Sequence, residues 1–335
     1  MRFLLLLFII LPSILQAQKD SIQEIEGVEF VFERKIKLPT LEDEYVLDYI
    51  FYDDDCLLLS KIKDEYCLRL VNDDFKEQTR LNIAVKPEEI YTDCMGYKHL
   101  ITRDSAYQIY IENKRLFLLF PQEKDHFLGL LENCVGTTGN GLVYETFMHK
   151  NQTHMFIEFD TVNAVNNLLY VAQDMENYYS LREDQLRLEA DWASSPNNLA
   201  AMGIVFNHMV LSKEAYVPFF NLDTGFLILN HRVDLAIKGN NFTSKEVFPI
   251  VYHKKESWAD HIIQSENGDV FYAKLLEGGL LEIENLGKDL KSVGKVSKIM
   301  DHTFPQKLKV KDGFLYYIAK EYKESSFVKL WKVKL

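Results

Sequence analysis

The sequence predicts an all-β protein, a six-bladed β-propeller, and its repeats are the basis of that prediction. A phrase of strand, tight turn, apolar strand, polar loop and strand recurs six times along the 335 residues. The apolar second strands begin near residues 57, 99, 142, 226, 270 and 314, so four of the five spacings are 42 to 44 residues. Four strands in about 43 residues is the period of a propeller blade.

The last phrase, residues 304–335, predicts only three strands, with a tight turn at Asp312 and Gly313. An extended, β-rich segment, GVEFVFERKIKL at residues 27–38, stands before the first complete phrase. We expect this N-terminal strand to complete the last blade, because that pairing closes the ring and removes two exposed sheet edges.

The spacing between residues 142 and 226 is twice the others. Residues 178–192 in this interval are rich in Leu, Glu and Arg, and Ser195-Pro196 resembles the start of a second helix. A helical insertion between blades 3 and 4, over about residues 174–213, is therefore expected, as a cover for a rim or as a binding lid. The competing interpretation places a seventh blade here, because residues 168–182 resemble residues 58–69.

The N-terminus predicts a secretory signal peptide over residues 1–17, with cleavage after Ala17 and one mature domain from residue 18 to 335. Arg2 is followed by an apolar run and then by a short polar end. A membrane anchor is the weaker alternative, because the run from residue 3 to 11 is too short to span a bilayer. We expect a periplasmic or extracellular protein that does not span the membrane after processing.

The charge is acidic: 38 Lys and Arg stand against 50 Asp and Glu, a formal net charge of −12. Removing the signal peptide removes Arg2 and no acid, which makes the mature charge −13. So acidic a chain does not suit nucleic acid or anionic lipid, and the expected partners are a small molecule, a glycan or a protein.

Four cysteines in a chain of this length do not make a disulfide scaffold. Cys94 and Cys134 follow similar contexts at the predicted ends of neighbouring first strands, and an inter-blade disulfide needs their Cα atoms within about 7 Å. Buried free thiols are the favoured interpretation for this pair, and also for Cys56 and Cys67, which face each other across a predicted hairpin.

Three segments carry a resemblance to a known group of proteins. They are residues 92–108 (TDCMGYKHLITRDSAYQ), residues 216–220 (YVPFF) and residues 304–317 (FPQKLKVKDGFLYY). In these segments the chain resembles the six-bladed β-propeller proteins exported by Bacteroidetes. The resemblance implies the fold and export, and it supplies no catalytic residues.

The most organised polar feature is a set of three Asp-His pairs, each close to the start of a predicted first strand. The first strand of the third blade is predicted over residues 127–134. First strands line the channel of a propeller, so these residues are expected around one mouth. They could hold a divalent cation or a cationic ligand, or supply acid–base groups; alternatively they are solvated loop residues that cap strand ends. The candidate ligand-binding rim is Asp125, His126, Asp260, His261, Asp301 and His302, with Trp258; the other blades begin after Glu42-Asp43-Glu44, Glu88-Glu89 and Glu214.

No catalytic signature is recognisable in the chain: G-x-S-x-G and H-E-x-x-H are absent. The most favoured function is a binding module that presents its channel mouth to a small molecule, glycan or protein. The alternative is a metal-assisted lyase or hydrolase acting on sugars or lactones at the acidic rim. The fold hosts both classes and cannot choose between them.

Overall fold

The computed structural model of the chain confirms an all-β protein with few helices. The signal peptide and most of residues 27–38 lie outside the part that the structure describes. That part comprises residues 36–37, 43–72, 74–194, 215–222, 225–241, 243–255, 258, 261–265, 267–287, 290, 296–320 and 326–335.

The first half of the described chain forms three four-stranded antiparallel sheets, each with its strands in chain order. The last strand of sheet 1 is followed directly by the first strand of sheet 2, whereas a short helix separates sheet 2 from sheet 3. Sheet 1 is β2 (Glu44–Tyr52), β3 (Asp55–Ile62), β4 (Glu65–Val71) and β5 (Glu77–Ile83); sheet 2 is β6 (Pro87–Thr92), β7 (Lys98–Thr102), β8 (Ser105–Glu112) and β9 (Arg115–Glu123); sheet 3 is β10 (Cys134–Thr137), β11 (Gly141–Met148), β12 (Thr153–Asp160) and β13 (Val165–Gln173).

The second half repeats the pattern, and its last sheet takes one strand from the N-terminal side of the chain. Sheet 4 is β14 (Phe219–Leu222), β15 (Gly225–Asn230), β16 (Leu235–Gly239) and β17 (Lys245–Pro249); sheet 5 is β18 (Ile262–Gln264), β19 (Val270–Leu275), β20 (Leu281–Gly287) and β21 (Val296–Ile299); sheet 6 is β22 (Gln306–Lys311), β23 (Phe314–Lys320), β24 (Val328–Lys334) and β1 (Ile36–Lys37).

Helices lie between sheets. Helix α1 (Lys124–Leu131) precedes sheet 3, and helix α2 (Met175–Ser194) follows it. The second predicted helix, from Ser195 onward, lies outside the described residues. Short 3-10 turns occupy His149–Asn151, Tyr252–Lys254 and Glu277–Gly279.

The N-terminal strand pairs where the sequence predicts it. Ile36 is opposite Lys332 and Lys37 is opposite Trp331, both in antiparallel register with β24. The turn between β22 and β23 also follows the prediction, because Asp312 and Gly313 both have positive φ, 51° and 74°. Two successive positive φ values belong to the hairpin turns that match strand twist.

Apolar cores between sheets join them into a ring. Leu57 of sheet 1 and Leu100 of sheet 2 are fully buried in one shared core. First strands of neighbouring sheets contact each other, as β2 does β6, β10 does β14 and β18 does β22. The other shared cores pair Phe156 with Phe226 (sheets 3 and 4), Leu229 with Tyr272 (4 and 5), Phe271 with Tyr317 (5 and 6), and Tyr316 with Tyr49 (6 and 1). Sheets that pack face to face around a ring of first strands form a β-propeller.

Sheets 2 and 3 are joined differently. A disulfide links Cys94, in the turn after β6, to Cys134, the first residue of β10, with 5.8 Å between Cα atoms. The prediction of free thiols for this pair was therefore wrong. Free thiols are confirmed for Cys56 and Cys67, which are buried; burial raises the pKa of Cys67 to about 11.

Helix α1 corrects a second prediction, because residues 127–134 were expected to form a strand. Phe127, Leu128 and Leu131 lie on one face of the helix and pack with Ile101 and Ala106 of sheet 2. A short apolar run fits a strand or a buried helix equally well, and only the surface it packs against decides between them.

Candidate functional site

The ring has two faces that differ in the loops they present. We call one of them the starting face. The first strands begin there, and the turns between second and third strands lie on the same face. Backbone hydrogen bonds join these loops: Lys63 N donates to Asp43 O (3.4 Å) and Ile250 N donates to Asp234 O (2.8 Å). The opposite face, the turn face, carries the turns between first and second strands.

First strands are bulged near the starting face in four of the six sheets. The register shifts between Val46 and Asp48 in β2, between Pro87 and Glu89 in β6, and between Gln306 and Lys309 in β22, with a fourth shift in β10. A bulge turns the following side chains relative to the rest of the strand. The bulges therefore decide which polar groups meet inside the ring.

Those groups form an ionic cluster across three first strands. Lys307 Nζ lies 3.1 Å from Asp48 Oδ2 and 3.4 Å from Glu89 Oε2. Asp48 is buried and also accepts hydrogen bonds from the backbone N–H groups of Tyr49 (2.9 Å) and Ile90 (3.1 Å). This cluster connects sheets 6, 1 and 2.

Burial disfavours the charged amine of Lys307, but the carboxylates of Asp48 and Glu89 outweigh it and raise its pKa. Lys309 lies further along β22, with Nζ 5.7 Å from the centre of the Tyr49 ring. Burial lowers the pKa of Lys309, an effect that Asp48 opposes. Lys307 therefore carries a positive charge and links the first strand of sheet 6 to those of sheets 1 and 2.

In two of the three predicted Asp-His pairs, the described residues are exposed in a helix or a loop. Asp125 and His126 lie in the first turn of α1, outside any strand, and both side chains are exposed. His261 is exposed immediately before β18, and its carbonyl accepts a hydrogen bond from Ala273 N (3.0 Å). Asp260 lies outside the described residues.

The third pair divides between surface and core. Asp301 is exposed, whereas His302 is buried. The His302 ring packs 4.2 Å from the Trp331 ring, and its Nδ1 lies 2.9 Å from the Tyr317 hydroxyl. Both residues lie in the connection between β21 and β22, outside any strand, and the ring contacts of His302 hold it in the core.

Trp258 belongs to a cluster of aromatic and imidazole rings between sheets 4 and 5. It is half-buried and stacks on Tyr272 at 4.7 Å, with His231 at 4.9 Å. His231 bonds through Nε2 to the Tyr252 hydroxyl (2.8 Å), and the neighbouring His253 bonds to Asp234 (2.9 Å).

This ring cluster is well connected internally. His231 Nδ1 lies 3.0 Å from the carbonyl oxygen of Tyr216, whose hydroxyl accepts a hydrogen bond from Ile262 N (3.0 Å). Burial raises the pKa of Tyr252 far above its usual value. The cluster ties two sheets together at the starting face. Within the described residues, no group of three or more His, Cys, Asp and Glu is arranged to hold a metal ion.

A row of three side chains crosses sheet 1 beside the starting face. Tyr45 of β2 is directly opposite Lys61 of β3, which is directly opposite Tyr66 of β4. Directly opposed residues lie on the same face of a sheet. Lys61 Nζ is 5.9 Å from the centre of the Tyr66 ring and 3.2 Å from Asp64 Oδ1.

This row forms one wall of a pocket of about 450 Å³, a volume within the range of small-ligand sites. The pocket lies where sheets 1, 2 and 6 meet at the starting face. Three lysines and one aspartate supply its charges, and three aromatic rings supply its flat surfaces. Its lining is Asp43, Tyr45, Leu47, Lys61, Lys63, Tyr66, Lys86, Pro87, Ser326 and Phe327.

A smaller cavity of about 130 Å³ lies between sheets 5 and 6 on the turn face. Its polar lining includes Ser265, Asn267 and Asp269, which hydrogen-bond to one another. These bonds belong to a tight turn, in which Gly268 has a positive φ of 83°.

The pocket lined by Lys61, Lys63 and Lys86 was not predicted from the sequence, although the pairing of two of its residues follows from the sequence. The turn at Lys63 and Asp64 places Lys61 opposite Tyr66 by simple hairpin pairing. Tyr45 joins the row only because of the bulge in β2; an unbulged hairpin would place Val46 opposite Lys61. The alternating pattern gives no sign of that bulge.

No family model matches the chain, and no curated protein matches it in sequence. Among the helices that the structure describes, none is long and apolar enough to cross a membrane.

Solved structures similar to this chain include a DUF4221 family member from Bacteroides vulgatus, at 9% identity over 91% of this chain and 97% of that chain, with a TM-score of 0.48. A catalytically inactive virginiamycin B lyase from Staphylococcus aureus matches at 9% identity over 90% and 98%, with a TM-score of 0.41. A luciferin-regenerating enzyme matches at 9% identity over 90% and 96%, also with a TM-score of 0.41. At these identities and scores the likenesses carry no argument about function.

Proposed function

We propose that this protein is an exported six-bladed β-propeller that works as a binding module, with its ligand site on the starting face. The observation that supports the proposal is the pocket of about 450 Å³ at the meeting point of sheets 1, 2 and 6. It combines ring faces with charged groups, which is the composition of sites that hold and orient small ligands.

In this proposal the six sheets are the complete set of blades, and α2 begins an insertion between blades 3 and 4. The ionic cluster of Lys307, Asp48 and Glu89 holds the pocket's supporting strands in fixed relation. A site supported by rigid strands keeps its geometry without ligand, so less of the binding energy is lost in ordering it. The exposed rim residues Asp125, His126, His261 and Asp301 would contact larger partners.

The test is a thermal-shift screen of a library of small molecules and short oligosaccharides against three forms of the protein. Ser326→Trp places a large ring in the pocket from an exposed position at its edge. Ser244→Trp adds the same ring at an exposed site on the turn face and serves as the matched control.

We expect compounds that raise the melting temperature of the wild type and of Ser244→Trp, and that leave Ser326→Trp unchanged. A library in which every stabilising compound acts equally on all three proteins would contradict the proposed site. Export is a separate part of the proposal; N-terminal sequencing of the mature protein should begin at Gln18.

A further inference from the structure

The pocket's charges point to the chemistry of its ligand. Lys61, Lys63 and Lys86 line it together with one carboxylate, Asp43, and the exposed Asp64 carboxylate pairs with Lys61 from outside the lining. The whole chain carries a formal net charge of −12, so a local excess of cations is the reverse of its average surface. Clefts lined by one sign of charge concentrate ligands of the opposite sign.

The ammonium groups are held at the solvent side of an apolar floor. Leu57 and Leu59 point to the same face of β3 as Lys61, and both are fully buried in the core between sheets 1 and 2. Lys61 continues that row outward as the core ends, with its charge beside Asp64 and the Tyr66 ring. The pocket thus adjoins the core between sheets 1 and 2, and Leu47 and Pro87 are its aliphatic lining residues.

Flat rings complete the site. Tyr45 is 36% exposed, Tyr66 is half-buried against the shared core, and Phe327 is half-buried across the pocket. Aromatic rings offer broad contact at little entropic cost, and their faces suit the C–H surfaces of a ring-shaped ligand. The tyrosine hydroxyls add hydrogen-bonding groups that a hydroxylated ligand can use.

A nucleotide suits this pocket less well. Phosphate sites are usually built from backbone N–H groups in a glycine-rich loop or at a helix N-terminus. No glycine lines this pocket, and the glycine-rich stretch at residues 136–141 leads into the turn between β10 and β11, on the turn face. Here the charges come from separate side chains spread around a wide opening.

We propose, on the basis of the proposed function, that the pocket binds an acidic sugar, a pyranose ring bearing carboxylate or sulfate groups. Tyr45 and Tyr66 contact the ring, and Lys61, Lys63 and Lys86 bind the anionic groups. The pairing of each side chain with one feature of the ligand makes the two contributions separable by substitution.

The experiment is isothermal titration calorimetry of the mature protein with four probes: trigalacturonic acid, a sulfated chondroitin disaccharide, neutral maltotriose and AMP. The first two distinguish carboxylate from sulfate as the anion. The lysine variant is the triple Lys61→Gln, Lys63→Gln and Lys86→Gln. Its matched control, Lys76→Gln with Lys114→Gln and Lys238→Gln, makes the same change in net charge at exposed positions elsewhere.

We expect an acidic sugar to bind, to weaken at least about tenfold in the lysine variant, and to keep its affinity in the control. Raising the salt concentration from 50 to 500 mM should weaken the same probe. Tyr45→Ala with Tyr66→Ala should abolish binding, whereas changing both residues to Phe should largely preserve it.

The other outcomes overturn the inference in distinguishable ways. If maltotriose binds as tightly as the acidic sugars, and only the tyrosine variants weaken it, the acidic preference is wrong while the proposed site stands. If AMP is the preferred probe, the ligand is not a sugar acid. If no probe responds to any pocket variant, the ligand class is wrong, and the library screen with Ser326→Trp decides separately whether the pocket is a site.

Discussion

At the scale of single residues, a buried ionic network lies directly beneath the pocket wall. Glu44, expected from the sequence to be a rim carboxylate, is fully buried and bonded to the Arg69 guanidinium. Ser60 donates to the same carboxylate at 2.5 Å, and Arg69 Nε also contacts Glu77 at 2.7 Å. Burial opposes the charge on Arg69, but the two carboxylates more than compensate and raise its pKa.

We expect Glu44→Gln to destabilise the protein by about 3 to 5 kcal/mol, because it leaves a buried guanidinium without its main counter-charge. The double variant Glu44→Leu with Arg69→Leu should lose clearly less unfolding free energy than the two single variants, Glu44→Leu and Arg69→Leu, lose in sum. Urea unfolding of the wild type, these two single variants and the double variant measures the coupling energy. A Glu44→Gln variant within about 0.5 kcal/mol of the wild type would show that the network contributes little.

At the scale of secondary structure elements, the prediction worked where one pattern dominates. The second strands begin at Asp55, Lys98, Gly141, Gly225, Val270 and Phe314, each within two residues of the predicted starts. Five of these strands are buried on both sides, so their apolar runs are continuous, whereas β11 is mostly half-buried. Their turns are marked by Asp, Asn and Gly. The short first strands were harder, since bulges and the helix α1 interrupt their pattern.

The pairing of β1 with β24 gives a test at this scale. Deleting residues 19–39 removes the strand and exposes the β24 edge. Each residue pair supplies about one hydrogen bond of net value near 1 kcal/mol, so the strand contributes about 1 to 3 kcal/mol to the free energy of unfolding. We expect a lower melting temperature and a greater tendency to associate. The control is the chain beginning at residue 18; equal stability of the two proteins would contradict closure by this strand.

At the scale of the whole molecule, the join between sheets 2 and 3 is distinctive. Five of the six joins between neighbouring sheets in the described part of the ring are shared apolar cores. Here helix α1 packs on sheet 2, and the Cys94–Cys134 disulfide links sheet 2 to sheet 3. The covalent bond links positions 40 residues apart. It restricts the unfolded chain at the one join for which the described residues form no apolar core shared by both sheets.

We expect the double variant Cys94→Ser with Cys134→Ser to lose about 2 to 4 kcal/mol in its free energy of unfolding. Non-reducing peptide mapping should find the two cysteines linked in the wild type. Cys56→Ala is the control, because Cys56 is buried and forms no disulfide. The difference in unfolding free energy between this variant and the wild type should be the same with and without reductant. Wild-type stability that is the same with and without reductant would show that the disulfide does not hold this join.

The sequence by itself determined the repeats, the order of the strands and the closure by residues 36–37, because hydrophobic alternation and turn residues act over short distances. The tertiary structure decided the rest. A one-residue bulge in β2 brings Tyr45 opposite Lys61, and a packing surface on sheet 2 makes residues 124–131 a helix. It also buries His302 while leaving Asp301 exposed. These outcomes depend on distant neighbours, so no local pattern in the chain encodes them.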